Sequence, residues 1–94
     1  MPNFMTRVEL HNATYQDYEN LHSAMETEGF ERTITSDQGT TYHLPTAEYY
    51  RSTTLTRSQV LDSAKRAADK TKKHYAAVVT ESNGVTWHGL EPVR

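Results

Sequence analysis

His43 lies between Arg32 and Arg51, with Tyr42, Tyr49 and Tyr50 interleaved among them. A histidine can move a proton near neutral pH, and a guanidinium can steady the charge that builds on a phosphate under attack. Arg32, His43 and Arg51 are therefore the candidate catalytic set for metal-free cleavage of RNA, with His11 as a further proton carrier. Aromatic rings on an open sheet face can also stack bases, and nearby cations can hold phosphates. On that basis Arg7, Tyr49, Lys65, Arg66 and Lys70 are the candidate RNA contacts. Core tyrosines and a solvated helix face account for the same residues equally well, and spacing does not choose between the two.

Other chemistry has less to work with. The five histidines, at positions 11, 22, 43, 74 and 88, form no i,i+4 pair. His22 with Glu26 is the one helical combination, and two ligands do not close a zinc site. The chain has no cysteine, which excludes disulfides and thiolate chemistry. No glycine-rich phosphate loop and no Ser-His-Asp arrangement is visible. No metal and no cofactor is expected.

The elements that must position these residues are legible from periodicity. Residues 4–10 alternate, with Phe4, Thr6, Val8 and Leu10 on one face and Met5, Arg7 and Glu9 on the other. Thr14 and Asp17 approximate a capping box for a helix over 14–28, with Gly29 placed to end it. Residues 30–35 and 47–54 are β-rich. Thr40 to Leu44 is extended, although Pro45 argues against a central strand there. Thr56 and Gln59 form a second capping box, ahead of a stripe of Val60, Leu61, Ala64, Ala67, Ala68 and Thr71. Tyr75–Thr80 is the most apolar strand. Asn83-Gly84 is a hairpin signal, predicting that residues 85–90 return as an added strand.

The resulting order, β-α-β-β-α-β with one strand appended, predicts an α+β, ferredoxin-like two-layer sandwich. A chain of 94 residues has room for one such domain, with its core over 4–81 and a C-terminal strand and tail over 85–94. The net charge is only −2, but it is unevenly spread. Residues 1–31 hold one arginine against six acids, whereas residues 56–74 hold six basic residues against two acids. Such a local basic patch can track phosphates without a high overall pI. No apolar run is long enough to span a bilayer, and the first residues do not form a leader, so a cytoplasmic protein with no membrane partner is expected.

Three stretches add a family resemblance. Thr6-Arg7-Val8-Glu9-Leu10, the helix ending in Met25 with Gly29-Phe30, and Tyr50-Arg51-Ser52-Thr53-Thr54-Leu55 are similar to the GhoS family, over about residues 5–70. These are small endoribonuclease antitoxins of type V toxin–antitoxin systems. The resemblance implies a ferredoxin-like fold and cleavage of a single-stranded transcript encoding a small membrane toxin. One position departs from the pattern. Relatives commonly end the first strand with a carboxylate that could hold a metal, and this chain has His11-Asn12 there, which puts metal-assisted hydrolysis in doubt.

Two expectations follow. The first is an endoribonuclease acting on single-stranded RNA. The second is a non-catalytic RNA-binding or protein-interaction module of the same fold, pairing into a homodimer through an exposed sheet edge or the 85–90 strand.

Overall fold

Period-two burial in the first eight paired residues sets the frame of the molecule. A computed structural model describes all 94 residues, Met1–Arg94. In β1 (Asn3–Leu10), Phe4, Thr6, Val8 and Leu10 are buried while Arg7 and Glu9 are exposed. That strand is the centre of a three-stranded antiparallel sheet. It pairs on one side with β4 (Glu48–Ser52) and on the other with β5 (Tyr75–Ser82), giving the order β4–β1–β5. Two short strands, β2 (Thr33–Thr35) and β3 (Thr41–His43), form a separate antiparallel pair. A single bridge between Glu31 and Tyr50 ties the start of this hairpin to the outer edge of β4.

Both helices pack on one face of the three-stranded sheet. Helix α1 (Tyr15–Thr27) starts at Thr14, whose hydroxyl accepts from the Asp17 amide while the Asp17 carboxylate accepts from the Thr14 amide. That backbone hydrogen bond also holds the Asp17 carboxyl below its usual pKa. Helix α2 (Arg57–Asp69) opens on the corresponding box between Thr56 and Gln59. Both predicted caps therefore form, because they depend only on residues three apart. Leu21, Ala24 and Met25 of α1 meet Val60, Ala64, Ala67 and Ala68 of α2 over Phe4, Val8 and Tyr49. The small side chains of α2 let its backbone settle close to the sheet, as their spacing implied.

Three expectations need correction. Residues 30–35 are not one continuous strand. Glu31 makes only its single bridge, and the chain bends at Arg32 before β2 begins. The 47–54 strand is shorter, at Glu48–Ser52, with Tyr49 fully buried and Tyr50 on the opposite side.

The largest correction concerns the C-terminus. Residues 85–90 form no strand against β5, so the predicted added strand is absent. The Ser82 hydroxyl instead donates to the Gly84 carbonyl and accepts from the Gly84 amide, closing a local turn. The tail then crosses to the hairpin. The His43 amide donates to the Glu91 carbonyl at 2.9 Å, and the Val93 amide donates to the Thr41 carbonyl at 2.8 Å. The free edge of β3 offered unpaired backbone groups to the tail, and Pro92 sits between the two bonds as a single bridge partner of Tyr42. Such an edge is one of the few places in a sheet where a proline, lacking an N–H, is accommodated.

Candidate nucleic-acid interface

Strand alternation sorts the candidate residues onto two opposite sides of the sheet. The side away from the helices carries Met5, Arg7 and Glu9 of β1, Glu48 and Tyr50 of β4, and Ala76, Val78 and Thr80 of β5. Arg7 reaches the Glu48 carboxylate at 3.6 Å and remains about two-thirds exposed. Val78 is 62% exposed, so neither helix nor loop covers that part of the sheet. The phenol of Tyr50 donates to Asn3 Oδ1 at 2.8 Å, which fixes its ring at the edge of this face.

Beside Tyr50 the sheet meets the hairpin. A groove of about 510 Å³ opens there, between Asn3 and Tyr50 on one wall and Ile34 and Tyr42 on the other, with the 82–87 turn as its rim. Trp87 packs edge-on against Tyr42, with ring centroids 5.5 Å apart. His43 lies on β3 next to this groove in sequence but is exposed, and its side chain makes no hydrogen bond or ion pair.

The helix side receives residues that the sequence had assigned to RNA. Tyr49 is completely buried, with its ring tilted against His22 and edge-on to Phe30. A side chain with no exposure cannot stack a base, so Tyr49 is a core residue. Arg51, two residues on, shares that side, and its guanidinium lies 5.3 Å from the centroid of the Phe30 ring. It also closes over Gly29, whose backbone is left-handed at φ +98°, and where any Cβ would come within 3.1 Å of the guanidinium carbon. A glycine there serves both needs at once. Nη1 of Arg51 is buried without a partner.

Arg32 is half-buried at the bend before β2, and its positive charge adds to burial in depressing the pKa of His22. Arg51 thus lies against the Phe30–Tyr49 core, while His43 stands exposed on the hairpin. Arg32 neighbours His43 across the hairpin, where Thr33 pairs with His43 and the Leu44 amide donates to the Arg32 carbonyl.

The basic residues of α2 are on the outer side of that helix, across the sheet from the open face. Arg66 is engaged by Glu28 at 3.1 Å and by the Ser63 hydroxyl at 2.9 Å. Lys65 and Lys70 are exposed and make no ion pair. Lys73 pairs with Asp17 at 3.6 Å, and Arg57 lies 4.0 Å from Glu81. No cluster of three or more histidine or acidic side chains is placed to hold a metal. No helix is long and apolar enough to cross a membrane.

One buried polar pair escaped the sequence reading. His22 is 5% exposed, and its Nδ1 lies 2.6 Å from the Tyr49 hydroxyl. Burial lowers the His22 pKa and pushes the Tyr49 phenol up, so both are neutral near pH 7. The assignment consistent with this has the phenol donating to Nδ1 and the proton on Nε2, which faces Glu19 at 3.8 Å. The signal was present as His22 on the apolar stripe of α1, but its partner is 27 residues away.

The pair has a pH signature. The unfolded chain takes up the His22 proton near 6.5, and the folded chain only at lower pH. Below 6.5 the unfolded state therefore binds more protons, and stability falls as pH drops toward the folded value. His22→Gln should flatten this part of the stability profile. The check is the difference between wild-type and variant urea midpoints at pH 7.5 and 5.5.

Comparison with family models gave no match, and no curated protein shows significant similarity to the chain. The GhoS resemblance therefore rests on the three stretches quoted above.

Proposed function

We propose that this protein is a single-stranded RNA-binding domain of ferredoxin-like type, which engages RNA on the sheet face opposite its helices. The strand order supports the fold: β5–β1–β4, with the β2 segment attached to the β4 edge through Glu31 and Tyr50, follows the split βαβ plan. The uncovered sheet face, with Arg7 exposed on it and Tyr50 at its margin, is the observation that carries the function. Single-stranded RNA is recognised by splaying bases onto such aromatic-bearing surfaces while cations hold the backbone.

Cleavage by a GhoS-like antitoxin is the case in which the bound strand is also cut. It rests on the resemblance, with His43 as an exposed proton carrier of the set while Arg51 turns toward the core. Lys65 and Lys70 would be reached only by a strand long enough to pass around the β5 edge.

The test is titration of labelled A/U-rich single-stranded RNA with the full chain, in EDTA and at several salt concentrations. Binding is expected. Arg7→Glu should weaken it and reduce the dependence of log affinity on log salt by about one. Lys65→Glu should do less. Absence of binding, or loss of binding in Lys65→Glu with Arg7→Glu unaffected, would overturn the sheet-face reading. Cleavage in EDTA that disappears in His43→Ala would establish the enzyme. Intact RNA under the same conditions would leave a binding domain.

A further inference from the structure

The groove between the sheet and the hairpin has an unusual composition for a nucleic-acid surface. Tyr42, Tyr50 and Trp87 line it, along with Asn3, Asp37 and Gln38, and no lysine or arginine is among its lining residues. A phosphate has nothing there to neutralise it, and Asp37 would repel it. An uncharged planar group fits better. Aromatic walls suit a π-face, and amide, hydroxyl and carboxylate groups suit the donors and acceptors along the edge of a heterocycle. At about 510 Å³ the volume lies in the range of small-ligand sites. The two walls come from parts of the chain far apart in sequence. Pairing of Glu91 and Val93 with β3 holds the tail against the hairpin, so that Trp87 meets Tyr42.

The geometry points to a nucleobase subsite in this groove, which accepts the base of a nucleotide while its phosphate stays outside. This deepens the RNA-binding reading by naming which part of the strand the groove takes. It also separates two roles within one interface: Arg7 on the open sheet for the backbone, the aromatic groove for a base.

Trp87 is the single tryptophan of the chain, so its emission reports on this groove alone. The experiment titrates the full-length protein with a nucleoside 5′-monophosphate, with ribose 5-phosphate, and with a short single-stranded oligoribonucleotide. Excitation at the red edge of the indole band avoids absorption by the bases. The nucleotide and the oligomer are expected to quench or shift Trp87 emission, and ribose 5-phosphate is not. Tyr50→Ala should weaken the base-bearing probes by about fivefold or more. Tyr50→Phe, which keeps the ring and loses only the bond to Asn3, should stay close to wild type.

Quenching by the nucleotide without binding of the oligomer would support a base site for a free nucleotide and would count against the RNA reading. Oligomer binding seen by anisotropy, with Trp87 emission unchanged and Tyr50→Ala unaffected, would overturn the groove while leaving the RNA reading in place. Equal quenching by ribose 5-phosphate, or no response to any base-bearing probe, would also overturn it.

Discussion

Tyr49→Ala is expected to remove a large part of the stability of this domain. The ring is fully buried, packs edge-on to Phe30 at 6.4 Å, and supplies the hydroxyl that satisfies His22. Truncating a buried aromatic costs about 3–5 kcal/mol, from lost transfer energy and the cavity left behind. Orphaning the buried imidazole adds to that. A domain of this size has only about 5–15 kcal/mol in total, and each 1 kcal/mol shifts Tm by about 4–8 °C. Thermal melts followed by circular dichroism should therefore show a fall on the order of 15–30 °C. Tyr49→Phe separates the two contributions, since it keeps the ring and loses only the hydrogen bond, at about 1–3 kcal/mol. A fall of less than about 5 °C for Tyr49→Ala would mean that the sheet and α1 do not meet as described.

Ala67→Leu tests the other side of the same core. Ala64, Ala67 and Ala68 are fully buried where α2 lies against the sheet and α1. Three more carbons there have no space to enter, so either α2 lifts or neighbouring side chains leave their rotamers. Overpacking of this kind costs about 1–3 kcal/mol. Lys65→Leu places the same leucine on the exposed face of the same helix and should stay within about 0.5 kcal/mol of wild type. Urea midpoints of the two variants, measured side by side, give the comparison. Equal midpoints would show that the alanine stripe is not the packing surface of α2.

These two positions also show how far local pattern reaches. Ala67 was assigned to the core from helical spacing alone, and the assignment holds because α2 buries one stripe whatever lies opposite. Tyr49 is a candidate RNA contact because aromatic residues and cations interleave around it, on a strand that carries a tyrosine on each face among polar residues. Nothing within that strand says which ring turns inward. The choice is made by register: β4 pairs with β1 so that Thr6, on the helix side, stands opposite Tyr49, while Met5, on the open side, stands opposite Tyr50.

Arg51 follows Tyr49 inward for the same reason, and Gly29 and Phe30 receive its guanidinium. Register thus decides where Arg51, one of the proposed catalytic set, is placed. The groove was missed because its walls, near Tyr42, Tyr50 and Trp87, come from separate segments and become neighbours only after the tail docks.

By itself the sequence determined the elements whose signals are local: the alternation of β1, the capping boxes of α1 and α2, the turn at Gly29 and the small-residue face of α2. Each depends on residues within a few positions of one another, where side-chain spacing and backbone hydrogen bonding act directly. The tertiary structure decided the rest. It turned Tyr49 and Arg51 toward the helices, joined His22 to a hydroxyl 27 residues away, and carried the tail past β5 to the open edge of β3. Asn83-Gly84 encodes a turn, but which edge the chain then joins depends on backbone groups left unpaired elsewhere, and those exist only once the sheets have formed.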